Sequence, residues 1–139
     1  MANRILTADK WQQRIRDKLG IDAAYLPDST IEQPDYITLA EANIIEQIPD
    51  YASITGDLRV FLEAAVVCEC AALLCPSMPV RLPAKEQGPH ESHTLYVDWA
   101  KVRADLEVER DKHTSKIFDV VSPIPRIQHF SVTRPVRGW

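Results

Sequence analysis

Residues 57–76, DLRVFLEAAVVCECAALLCP, decide the fold. Asp57 offers a helix cap and Pro76 a stop, so the spacing predicts a helix over residues 58–75. At 100° per residue, the polar positions Arg59, Glu63 and Glu69 fall within one sector about 120° wide. The opposite face carries only small residues: Ala64, Ala65, Cys68, Ala71, Ala72 and Cys75. A helix so apolar, and so small on one side, belongs at the centre of a domain with other helices packed close against it. Val66 and Leu73 lie inside the polar sector, where a second subunit could cover them.

Toward the N-terminus, two further helices are expected. The first runs over residues 7–19, with Thr7 as N-cap, Asp9 near the positive end and Gly20 as terminator. Trp11, Ile15 and Leu19 recur every four positions and form its buried stripe. Residues 21–34 carry turn chemistry and predict a loop with a short helical turn. The second helix covers residues 36–48, or begins already at Asp35, with Thr38 and Glu41 at capping-box spacing and Pro49 as its stop. Ile37, Ala40, Ile44 and Ile48 form its stripe. Residues 50–56 make a short connection.

Toward the C-terminus the period changes. Residues 80–85 and 94–97 read as two short strands around a polar tip, residues 86–93, so a long β-hairpin or ordered loop is expected over 79–97. Pro83 confines its first strand to an edge. Asp98 then caps a helix to residue 117, with Trp99, Val102, Leu106, His113 and Ile117 on one side and charges of both signs elsewhere. Residues 118–139 hold three prolines, three arginines and one acid, together with Phe118, Ile127, Phe130 and Trp139. That is too apolar for a solvated tail and fits a stiff arm that docks on another subunit or protein, the alternative being a segment folded back over its own core. The expected architecture is therefore mainly α: a small bundle of about four helices over residues 1–117, with a hairpin and an extended C-terminal arm over 118–139.

Composition bounds the function. The chain has 139 residues, 45% hydrophobic and 26% charged, as in an ordinary globular domain. A net charge of −4 argues against whole-molecule attraction to nucleic acid or to an anionic membrane. No apolar run is long enough for a membrane span and residues 1–7 lack a secretory signal, so residence in a cytoplasm is expected.

Catalytic chemistry is hard to place. Cys68 and Cys70 point about 160° apart on a helix, and Cys68 and Cys75 stand about 10 Å apart along its axis. These spacings suit neither a disulfide nor a shared zinc, so all three read as small core residues. His90 and His93 flank Glu91, but they are three apart beside Gly88 and Pro89, unlike the four-residue helical spacing of a zinc protease. His113 reads as a packing or interface residue. The acids Glu107, Glu109 and Asp111 alternate with Arg110 and Lys112 as on a solvated face. With no phosphate loop and no nucleophile elbow, neither an enzyme, a metal site nor a cofactor is expected.

Three stretches carry a resemblance: ANIIEQIPDYA at 42–52, LEAAVV and AALLCP within 62–76, and YVDWAKVR at 96–103. In this order they resemble the head–tail connector (adaptor) family of long-tailed bacteriophages, whose pattern has an "IE…P.Y" helix end, then a helix ending in "AA.L.P". The resemblance covers residues 6–117 and leaves the tail uncovered. It implies a structural virion protein at the head–tail junction, made in the host bacterial cytoplasm. Such subunits form a ring, typically a dodecamer, beneath the portal protein and toward a downstream tail or stopper protein. DNA passes through the channel without sequence-specific binding.

Within that frame Phe118, Arg126, Ile127, Phe130, Arg134, Arg137 and Trp139 are the expected portal or partner contacts. Lys85, Glu86, His90, Glu91 and His93 would face the lumen or the next tail component. Two other classes compete: a head-completion or tail-terminator protein, expected to be richer in strands, and a small helical protein-binding or regulatory module.

Overall fold

The computed structural model of the chain describes residues 3–82 and 97–121. Among these residues the regular elements are all helical, so the mainly α expectation holds. They are α1 (Trp11–Leu19), α2 (Asp28–Ile31), α3 (Leu39–Gln47), α4 (Asp57–Leu74), α5 (Met78–Arg81) and α6 (Trp99–Val121).

The long central helix is where the sequence places it. α4 buries Leu62, every residue from Ala65 to Ala72, and Leu74. It packs chiefly along α6, with α1 and α3 against its other sides. Its small residues let α6 lie close, and burying this much apolar surface is the main driving force of the fold. Gly56, at φ 68°, precedes α4 in a conformation that suits glycine, and Asp57 is the first helical residue rather than its cap.

The polar positions of α4 are taken up by the rest of the chain, Glu69 in the interior and Arg59 and Glu63 nearer the surface. Glu69 is 6% exposed, accepting a hydrogen bond from Asn43 Nδ2 of α3 (2.8 Å) and pairing with Arg110 Nη1 of α6 (2.6 Å). Glu63 pairs with Arg14 of α1 (2.9 Å), and Arg59 Nη2 donates to the Ile5 carbonyl (2.8 Å). The three polar positions thus tie α4 to four other parts of the chain. Val66, in the same sector, is fully buried by its own chain, and Leu73 is half-buried. Val66 therefore leaves no apolar surface for a second subunit to cover.

α1 starts at Trp11, with Lys10 in a left-handed conformation (φ 65°) at the cap position, three residues after the expected cap Thr7. Its end follows the sequence. Gly20, at φ 71°, and Ile21 direct their N–H groups back to the Arg16 carbonyl at 2.7 and 3.1 Å, which closes the helix. Arg16, 7% exposed, reaches across the following loop, donating to the Leu26 carbonyl (3.1 Å) and pairing with Asp28 (2.6 Å). The expected helical turn in this loop is α2.

The Thr38–Glu41 capping box does not form. A π-helical turn, Pro34–Thr38, runs straight into α3, so Thr38 is already in helical geometry. Glu41 instead turns inward. Its carboxylate accepts the backbone N–H groups of Arg4 (2.9 Å), Ile5 (2.8 Å) and Leu6 (2.9 Å), and the residue is 2% exposed. The expected stripe Ile37, Ala40, Ile44 and Ile48 is buried throughout.

Two corrections concern the region after α4. A 3₁₀ turn, Cys75–Ser77, passes into α5, so residues 79–81 are helical and not the beginning of a strand. Pro79 sits in the first turn of α5, where its missing N–H costs nothing. The rest of the expected hairpin, residues 83–96, lies outside the described residues. α6 begins as predicted, with the Lys101 N–H donating to Asp98 Oδ1 (3.2 Å). It continues to Val121, beyond residue 117, because Phe118 still packs against the core. The arm's remaining span, 122–139, is likewise outside the described residues.

Candidate functional site

α4, α6 and the last turn of α1 meet at a polar cluster. Glu109 and His113 are one helical turn apart on α6 and so share a face. Cys68 on α4 lies opposite them. One ligand-type atom from each, the Cys68 thiol, a Glu109 oxygen and a His113 ring nitrogen, lies within 4.8 Å of the others. Lys18 of α1 forms an ion pair with Glu109, and His113 Nε2 is 3.4 Å from the same carboxylate oxygen. The His113 ring stacks on Phe61 of α4, with centroids 6.2 Å apart, and Lys116 Nζ sits 4.8 Å from the centre of that Phe61 ring.

The cluster is electrostatically uneven. Burial, reinforced by the nearby Glu109 carboxylate, pushes the Cys68 thiol up to about 12, so it stays protonated at neutral pH. The hydrogen bond from Lys18 holds the Glu109 carboxyl below its ordinary range, and His113 acts in the same direction. His113 Nδ1 is buried without a hydrogen-bond partner. As a nucleophile Cys68 is poorly placed, because the thiolate is the reactive form. Thiol, carboxylate and imidazole together are, however, a set of metal-ligand types.

The other cysteines stand apart from this cluster. Burial raises Cys70 strongly and Cys75 to about 11, and all three cysteines are buried free thiols. On α6, burial works against the Arg110 charge, but hydrogen bonds to Glu69 and Asp111 outweigh it and hold the guanidinium firmly protonated. Leu6, Trp11, Glu32, Ile37 and Thr38, none of them in the cluster, line an open cleft of about 560 Å³.

The residues proposed from sequence are placed unevenly. Phe118 lies in the last turns of α6 and packs against the core. Arg126, Ile127, Phe130, Arg134, Arg137 and Trp139 are outside the described residues, as are Lys85, Glu86, His90, Glu91 and His93. The reading of Cys68 and His113 as separate packing residues missed their meeting. The four-residue spacing of Glu109 and His113 was visible in the sequence, whereas Cys68, 41 positions before Glu109, becomes their neighbour only through α4–α6 packing.

Among the described residues no helix is long and apolar enough to cross a membrane. In comparisons with protein families, curated proteins and solved structures, nothing matches this chain.

Proposed function

We propose that the chain is a head–tail connector subunit of a long-tailed bacteriophage, forming a ring beneath the portal and extending the DNA channel toward the tail. The observation that carries this reading is where the resembling stretches fall. Residues 42–52 span the end of α3, residues 62–76 most of α4, and residues 97–103 lead into and begin α6, and α3 and α6 both pack on α4. The resemblance thus lies along a single packing unit. Helical regular structure throughout the described residues also suits this reading better than a strand-rich tail terminator.

Ring contacts need apolar surface that one subunit leaves uncovered. Val60 on α4 and Val108 on α6 are 60% and 61% exposed and take the role that Val66 cannot. The apolar and basic residues of 122–139 supply the link to the portal, with Arg126, Phe130, Arg134 and Trp139 as anchors. The net acidic chain lets DNA slide past without sticking.

Co-sedimentation with the portal rings of the same phage, imaged by negative stain, tests the proposal. A stoichiometric second ring below the portal is expected. Truncation after residue 121 should abolish portal binding while leaving helicity intact, and Val108→Asp should block ring closure. A stable monomer that ignores the portal and is absent from virions would reject the connector reading in favour of a small helical binding module.

A further inference from the structure

The geometry at Cys68, Glu109 and His113 points to a site that nothing in the connector reading requires. Ligand atoms around a tetrahedral zinc stand roughly 3.3–3.8 Å apart, as bond lengths of about 2.0–2.3 Å dictate. Here the three candidate atoms are already within 4.8 Å of one another, and the His113 Nε2 to Glu109 Oε2 separation is 3.4 Å. Two ligands come from one face of α6 and the third from α4, elements that the core holds in fixed register. The donor set is complete in type before any rearrangement of backbone.

The surroundings of the ring bear on this. His113 Nδ1, the nitrogen not paired with Glu109, is buried with no protein partner, so no hydrogen bond from that side of the ring has to break when Nε2 turns to a metal. The charge on the Glu109 carboxylate is met by the Lys18 ammonium at the rim, where one cation already sits. A second cation of higher charge, deeper in the cluster, would be matched by the same carboxylate and would release Lys18 to solvent.

We propose that Cys68, Glu109 and His113 bind one divalent transition-metal ion, zinc by ligand chemistry, bridging α4 and α6 with water in the fourth position. Thiolate and imidazole favour zinc over calcium or magnesium, which take oxygen ligands. On binding, the Cys68 S–H bond breaks, the sulfur keeps the electron pair as thiolate and bonds to the metal, and one proton leaves to solvent. Neutral His113 gives a lone pair, and Glu109 a carboxylate oxygen. No oxidation state changes. The site stands or falls separately from the connector reading, since it needs neither portal nor ring.

The test uses the full chain, kept reduced with a phosphine and stripped with a chelator, then titrated with Co²⁺ as a coloured probe. One equivalent should produce a thiolate-to-cobalt charge-transfer band and the intense visible bands of four-coordinate cobalt. One equivalent of Zn²⁺ should bleach both. At a hundredfold excess over the dissociation constant, zinc should raise the melting midpoint by roughly 5–10 °C. Cys68→Ser should lose the charge-transfer band, and His113→Gln should lose the four-coordinate visible bands, while Cys75→Ser keeps both. Circular dichroism on each variant separates loss of binding from loss of fold. No charge-transfer band in the wild-type chain would overturn the assignment. So would a band that survives Cys68→Ser in a folded variant, or one abolished by Cys75→Ser in a folded variant.

Discussion

Glu41 and Glu109 are both carboxylates set between distant parts of the chain, and they are satisfied in different ways. Glu41 sits in the core, 2% exposed, and takes three successive backbone N–H groups, so both of its oxygens are engaged by the protein. Glu109 is half-buried, shared between a lysine and a histidine, beside a protonated thiol and an imidazole nitrogen with no partner. The first arrangement is closed, because burial keeps any further donor away from the oxygens. The second has spare donor capacity. Burial of a polar group therefore does not itself mark a structural or a binding role; what decides is whether the surrounding chain has used up its hydrogen-bonding positions.

The comparison can be broken most sharply at Glu41. Glu41→Ala leaves the Ile5 and Leu6 N–H groups buried without an acceptor, and the expected loss is about 3–5 kcal/mol in urea unfolding. A loss below about 1 kcal/mol would mean that water takes the place of the carboxylate and that the closed arrangement is not needed. Next in size is Glu69 with Arg110, a pair that is also internal but involves two side chains. A double-mutant cycle over Glu69→Gln and Arg110→Gln should return a coupling of about 1–2 kcal/mol, read from the same unfolding curves.

The half-buried carboxylate should show itself through pH. Because the Glu109 carboxyl is lowered in the folded state, its contribution is present above the ordinary carboxylate range and is lost as pH falls through the folded value. Lys18→Met removes the first cause of that lowering, so the variant should be slightly less stable at neutral pH and lose less on acidification. Parallel acid limbs in thermal melts of the two proteins would show that the Lys18 bond carries no linkage. Smallest of all, Lys101→Ala at the exposed pair with Asp105 should change stability by less than about 0.5 kcal/mol.

Much of this architecture is legible in the sequence because its determinants are local. Gly20 ends α1 through its own backbone, Asp98 caps α6 three residues ahead, and the stripe from Ile37 to Ile48 follows helical period. The long-range pieces are not legible. Thr38 and Glu41 match a capping box in spacing, yet Glu41 serves N–H groups more than thirty residues earlier. Val80 to Lys85 looks extended by residue type, while its first residues finish a helical turn that begins at Met78. Phe118 reads as the start of an arm until the core it packs against is present. The Cys68 cluster fails to appear for the same reason, since helix packing, not spacing, makes the neighbours.

The central placement of α4 also has a consequence in time. Its backbone amides, from Leu62 to Leu74, are enclosed by α1, α3 and α6, so no partial opening at one edge of the domain uncovers them all. Their hydrogen exchange should proceed only through whole-domain opening, which makes the slowest amides of α4 a clock for the lifetime of the entire fold.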